Sequence, residues 1–503
     1  MAEGRKIEKD IDRNINYLKD LLGIGETYDV MFREFRIGHK RAASFTINGM
    51  TNDLLIADLF KEMVATDAAE LSMNTLQKLF YTRAIHTQTK QIENMNDAVT
   101  SLLSGELLFF VDGAEQVLVI DARAYPSRSP SESNIEKVTR GSRDSFVETI
   151  VFNTALIRRR LRDPNLRCEI TKVGIRSQTD IAVCYIKDIT NPKLVETVKR
   201  RLNNIDIDGV PMAEKAIEEF IVGGNKWNPL PKVRYTERPD VAAVHLLEGH
   251  VCLVVDTSPD IMILPTTFWH HVQHVEEYRQ NVITGTFLRL VRLGAVLFSL
   301  LLPPVWLALV LQRQLLPETL AFLGPQDTGI IPLGLQFLLA EIGVEMVRMA
   351  TVHVPAAQST ALGFIGAFML GDFATKVGLF GNETIFYTAV SVVGTFATPS
   401  VELALAMRFF RIVLIALVML FKLPGLIGGL AAIMLIFGMT KSFGVSYLWP
   451  AIPLNLKAMR GVLFRLPIPS KLLRPAALRP KDNDRLEINH NKKDQGSKNE
   501  EDD

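Results

Sequence analysis

The feature that most constrains this chain is an abrupt change of composition. From Met1 to about Asn281 charged and apolar residues alternate as in a water-soluble protein, from Phe287 to about Trp449 the chain is mostly apolar, and beyond that it is polar again. An apolar half of this size is read as bilayer-spanning because single runs within it reach the length of a membrane helix. Residues 293–311, LGAVLFSLLLPPVWLALVL, carry no charge; Arg289 and Arg292 stand at the entrance as positive anchors, and Pro303-Pro304 is set to kink the run. The last stretch, 412–439, is interrupted by Lys422, Pro424 and Gly425 and reads either as one kinked span or as a re-entrant pair.

Between these runs, QFLLAEIGVEMVRMATVHVP (336–355) puts charges into an apolar setting. Glu341, Glu345 and Arg348 are four and three residues apart, so a helix carries them on one stripe, which Thr351 continues. Ionisable groups at bilayer depth are costly and face a bundle interior or a wet path, which makes the stripe a candidate for ion conduction or gating. The other reading is a helix lying in the headgroup layer with this side in water. Thr388, Ser391 and Thr395 form a hydroxyl stripe in the run 385–398. It either bonds neighbouring helices and its own carbonyls or lines an aqueous path. Gly363, Ala367 and Gly371 make a ridge of small residues for close helix packing, ending at Asp372 and Lys376, which neutralise each other. Glu402, Arg408 and Arg411 follow Pro399, and the chain turns basic after the last span at Lys457, Arg460, Arg465, Lys471 and Arg474. That basic stretch favours a cytoplasmic tail and an even number of crossings: four, with the charged stripe tilted, re-entrant or buried, or six if the ambiguous segments count separately.

The N-terminal half reads as α/β. YDVMFREFRI and RAASFTING flank Gly38 as a hairpin, helical patterns follow at 53–64, 71–85 and 95–103, and two apolar runs flank Asp112-Gly113 within 102–123. YPSRSPSESN (125–134) has the composition of an exposed linker. Beyond it SFVETIVFNTALIRRRL predicts an amphipathic helix, RCEITKVGI and DIAVCYIKDI strands, and PKLVETVKRRLNNI a helix opened by proline. LLEGHVCLVVDTSPDIMILP (246–265) aligns without a gap on the earlier 102–123 segment, Gly249 on Gly105 and Val255-Asp256 on Val111-Asp112. Two hairpins of one design predict two related units in tandem. The expected architecture is an α/β cytosolic region of two tandem units, 1–125 and 126–281, then a multi-span helical membrane domain, 282–455, and a disordered tail, 456–503.

A formal net charge of +1 points to no nucleic-acid partner. Cys168, Cys184 and Cys252 lie in apolar strand contexts without CxxC spacing and read as buried thiols in a reducing compartment. The start, MAEGRKIEKDIDRN, lacks the apolar core of a signal peptide. No phosphate loop, dinucleotide fingerprint, HExxH or nucleophile elbow occurs, so no enzyme activity and no cofactor are expected. Trp269, His270, His271 and His274 suggest a metal at first sight, but no acid or thiol partner is fixed nearby in sequence, and none is assigned. Arg158, Arg159, Arg160 and Arg162 have the composition of an anion dock, and read rather as a solvated helix end or a subunit contact.

Three segments resemble the A-subunit family of spore germination receptors, the GerA type: RGSRDSFVETIVFNTALIRRRLRDPNLRCE, TERPDVAAVHLLEGHVCLVVD, and LLAEIGVEMVRMATVHVP with GFIGAFMLGDFATKVGL. Where that family carries Gly-Pro-Arg-Glu, this chain has Gly141, Ser142, Arg143 and Asp144. The resemblance implies a multi-pass protein of the inner membrane of bacterial endospores with its N-terminal half and tail on the core side. It implies assembly as a homo-oligomer, a pentamer in the receptors, with other germination membrane proteins as partners and monovalent cations released. The family also includes the F protein of the spoVA operon, associated with ion release, and these motifs do not separate it from the receptor subunits. An oligomeric channel is the leading expectation; an ion-coupled secondary transporter or a non-conducting scaffold are the alternatives.

Overall fold

The computed structural model describes residues 5–64, 88–125, 136, 141–312, 324–326, 328–352, 374–470 and 473–485. The chain divides into two compact units, one of Met1–Gly223, Tyr235–Pro265 and Pro469–Asp503, the other of Gly224–Arg234 and Thr266–Ile468. The expected helix at 71–85 and all but the first residue of the expected linker lie outside the described residues, as do Gly363, Ala367, Gly371 and Asp372.

The first unit holds two five-stranded sheets of identical strand order. β1 (Val30–Ile37), β2 (Lys40–Ile47), β3 (Thr89–Ile92), β4 (Leu107–Val111) and β5 (Val117–Ile120) lie in the order β1-β2-β4-β5-β3. β6 (Leu166–Val173), β7 (Thr179–Ile186), β8 (Arg234–Thr236), β9 (Val251–Val255) and β10 (Ile261–Leu264) repeat it as β6-β7-β9-β10-β8. The helices are α1 (Ile11–Leu22), α2 (Asp53–Val64), α3 (Met95–Leu103), α4 (Ile150–Arg160), α5 (Pro192–Asn203), α6 (Ala213–Ile221) and α7 (Pro239–Glu248). β4 contains no polar residue because both its faces are covered: Leu108 and Phe110 pack with α1 and α3, while Leu107, Phe109 and Val111 pack with Leu59 and Met63 of α2.

The relation between the halves extends to a polar device. The Ile11 N–H, at the first position of α1, donates to Asp112 Oδ1 at 3.4 Å, and the Ile150 N–H, at the first position of α4, donates to Asp256 Oδ1 at 3.1 Å. Three residues into each helix an asparagine grips the chain before it. Asn14 donates to the Glu8 carbonyl at 2.6 Å and accepts the Glu8 N–H at 3.1 Å; Asn153 does the same with Val147 at 2.6 and 2.8 Å. The aspartates that the sequence repeat aligned therefore satisfy helix N-terminal donors that would otherwise be orphaned.

This device also shortens α4, expected from residue 145, to Ile150, because residues before it are held extended by Asn153. The helix is not amphipathic in place: every residue from Asn153 to Arg158 is buried. Tyr28 Oη meets Thr154 Oγ1 at 2.5 Å, and Arg158 Nε donates to Asp29 Oδ2 at 2.8 Å, so α4 is bound to the entry of β1. Arg158, expected in solvent, is 1 % exposed. Cys168, Cys184 and Cys252 are buried free thiols in register across β6, β7 and β9. Helices α6 and α7 had no counterpart in the sequence reading.

The tail is a correction. Residues 456–470 and 473–485, which lie in the stretch expected to be disordered, are ordered. In the first unit, the Lys481 N–H donates to the Ile189 carbonyl at 2.8 Å, Arg474 Nε donates to the Leu247 carbonyl at 2.9 Å, and Arg485 pairs with Glu248. Arginines facing free carbonyls explain why a polar segment docks.

The second unit is helical: α8 (Phe268–Val272), α9 (Val282–Leu311), α10 (Leu333–Val352), α11 (Asn382–Phe396), α12 (Val401–Met439) and α13 (Leu456–Leu463). Among the described residues α9 and α12 are long and apolar enough to cross a membrane; a multi-span domain is thus not established by length and composition. α12 breaks at Lys422 (φ 54°, ψ −133°). Its arms fold back on each other, Phe410 against Phe437 with ring centroids 6.1 Å apart. A Cβ on Gly429 would stand 2.5 Å from Leu414 Cδ2, and one on Gly425 2.2 Å from the Leu417 carbonyl, so these glycines allow the arms to close. The broken stretch is a hairpin with Lys422 at its turn.

Candidate functional site

In the second unit α10 runs antiparallel to the first arm of α12. Gly334 lies against Met419 at one end, and at the other Glu345 meets Arg408. Gln336 fixes the start of α10: its amide donates to the carbonyls of Thr328 and Ile331 at 2.7 and 2.6 Å, and its carbonyl accepts the Gly381 N–H at 2.9 Å. The predicted stripe carries Glu341, which is buried, and Glu345 and Arg348, which are half-buried. It meets two arginines of α12.

Glu341 is 1 % exposed and Arg411 fully buried. Arg408 Nε and Arg411 Nη2 donate to Glu341 Oε2 at 3.0 and 2.9 Å, and Arg408 Nη2 donates to the Glu341 carbonyl at 2.6 Å. Glu345 accepts from both Arg408 and Arg348. Arg411 Nη1 donates to the Ser299 carbonyl of α9 and stands 3.4 Å from Thr395 Oγ1 of α11. One network thus ties four helices together. In sequence, Arg408 and Arg411 were noticed without a role; their spacing of three in an apolar run was the available signal.

The hydroxyl stripe bonds in part to its own helix. Ser391 and Thr395 donate to the carbonyls of Tyr387 and Ser391, both at 2.9 Å, while Thr388 is buried. A Cβ on Gly394 would lie 2.5 Å from the Ala295 carbonyl, so α11 sits close on α9 at this level.

The histidines go separate ways. His270 Nδ1 accepts the Thr267 N–H at 3.0 Å, His274 Nδ1 accepts the Glu276 N–H at 3.2 Å, and His271 Nδ1 lies 3.2 Å from Ser400 Oγ. Burial, with Arg234 adding to it, pushes the His271 imidazole down to about 3 from its ordinary 6.5. As pH falls, the unfolded chain takes up the proton first. This residue's contribution is therefore full above about pH 6.5 and is lost towards pH 3, at up to about 1.4 kcal/mol per pH unit. Thermal unfolding at pH 7 and pH 5 is expected to show a smaller difference in His271→Asn than in the unaltered chain. An equal difference would assign the acid sensitivity to other groups.

Residues 16–477 match the profile of the Bacillus/Clostridium GerA spore germination protein family. The chain belongs to the GerA family. It is 45% identical over 476 residues to stage V sporulation protein AF of Bacillus subtilis, covering 95% of this chain and 96% of that protein. Spore germination protein KA of the same organism is 28% identical, over 91% of this chain and 85% of its own length. Of solved structures, the N-terminal domain of the A subunit of the Bacillus megaterium spore germinant receptor GerK3 matches at 29% identity and a TM-score of 0.42, covering 53% of this chain and 98% of that one. The GerA match spans both units, the Glu341 network included.

Proposed function

We propose that this GerA-family chain is a subunit of an oligomeric channel in the inner spore membrane that releases monovalent cations during germination, and that the Glu341 network is its latch. The observation that carries the reading is a set of ion pairs, with Glu341, Arg408 and Arg411 buried at its centre, among helices that also carry exposed apolar residues. Phe287, Met346, Phe409, Leu420 and Met434 are exposed, as lipid-facing or subunit-facing residues would be. Within one chain Glu341 is occupied by two guanidinium groups, so it holds α10 on α12, and the ion path lies where copies of the chain meet.

The test is cation flux from reconstituted protein carrying Glu341→Gln or Glu345→Gln. Loss of a charge-assisted contact is expected to shift the balance between closed and open forms about tenfold or more. Unchanged conductance and gating in both variants would remove the latch. Flux that follows a proton gradient would leave a secondary transporter, and no flux under any stimulus a scaffold for other germination membrane proteins.

A further inference from the structure

A second buried group of charges lies at the start of α9. Glu277 accepts Arg289 Nε at 2.7 Å and is also paired with Arg292. Arg465 joins them from beyond α13: its Nη2 donates to the Tyr278 carbonyl at 3.0 Å and its N–H to Thr286 Oγ1 at 3.1 Å. A Cβ on Gly285 would come 2.6 Å from Arg465 Cδ, so the glycine lets this arginine lie along α9. Arg289 Nη1 donates to the carbonyls of Gly461 and Val462 at 3.2 and 2.9 Å, joining α9 to the end of α13.

Arg289 and Arg292 share the Glu277 carboxylate, and Arg465 adds a third guanidinium that has no ion pair among the described residues, so three cations stand against one carboxylate. Among the described residues two of their nitrogens, Arg289 Nη2 and Arg465 Nε, are buried without a hydrogen-bond acceptor, the Arg289 guanidinium lying 5.5 Å from the centre of the Tyr278 ring. Buried charged donors without partners are unfavourable, and this pair calls for an anion. The surroundings say what carries it. Ile283 and Phe287 of α9, Leu456 of α13 and Phe464 beside Arg465 are exposed, while no residue of α13 is buried. An amphipathic helix beside a cluster of arginines at the end of an apolar helix has the layout of a bilayer surface.

We propose that Arg289, Arg292 and Arg465 bind the phosphodiester headgroup of an anionic lipid. This rests on the reading that α9 enters a bilayer. The phosphate occupies the excess positive charge while its acyl chains lie along Ile283 and Phe287, and α13 is pinned against α9.

The full-length protein in detergent is to be examined by native mass spectrometry with phosphatidylglycerol, phosphatidylcholine or inorganic phosphate. Retention of phosphatidylglycerol over phosphatidylcholine is expected, weakened about fivefold by Arg292→Gln and again by Arg465→Gln. Both variants leave Glu277 paired with Arg289, and Arg292→Lys is expected to keep binding. Equal retention of the two lipids, or unaltered binding in both Gln variants, overturns the proposal. Displacement of phosphatidylglycerol by inorganic phosphate at comparable concentration overturns the lipid assignment in favour of a free anion. Alkaline carbonate extraction of the unaltered protein separates the two levels: release from membranes would sink the membrane reading itself, whereas retention with indifferent lipid binding would sink only this site.

Discussion

Arg411→Leu destabilises the helical unit by about 3–5 kcal/mol, the usual consequence of removing one partner of a buried ion pair. Glu341 keeps Arg408, but Arg411 also holds the Ser299 carbonyl, so α9 loses its polar tie to α12. Glu341→Leu is expected to be as harmful, since it strands Arg411 in an apolar interior while Arg408 keeps Glu345. Combining the two costs less than the sum of the single changes, because the Arg411 charge that Glu341→Leu strands is then gone, although the tie to Ser299 stays broken. Thermal unfolding in detergent of the two single variants and the double variant measures this coupling. Additive losses would mean that the two side chains do not act as a pair.

Arg158→Met is the second large effect, again about 3–5 kcal/mol, and it falls on the first unit. It leaves the Asp29 carboxylate, 1 % exposed, with only Thr27 Oγ1 at 2.5 Å as a side-chain donor. It also frees the carbonyls of Asp163 and Leu166, which Arg158 holds at 3.0 and 3.1 Å. Asp29→Asn in the same background removes the stranded charge and is expected to restore part of the stability. Hydrogen exchange of the β1 and β6 amides reports the effect where it arises. Protection unchanged in Arg158→Met would show that α4 is held to β1 by packing alone.

The elements with strong local signals were legible. The strand pairs around Gly38 and Asp112-Gly113 and the helix opened by Pro192 lie where turn and cap chemistry put them, and the Gly105/Gly249 alignment, which predicts two related units, falls on equivalent places in two sheets whose common strand order it did not predict. What failed depended on distant contacts. Periodicity alone extended α4 back to residue 145, because its start is set by Asp256 more than a hundred residues away. Arg158 read as solvated, since nothing local marks Asp29 as its partner. The stripe of Glu341, Glu345 and Arg348 was read correctly as a stripe, but a helix face does not announce what covers it; Arg408 and Arg411 supply that from another element.

The chain passes between the two units four times, after Gly223, Arg234, Pro265 and Ile468. A single backbone cut at any one of these joints would therefore leave the two units covalently connected through the other three.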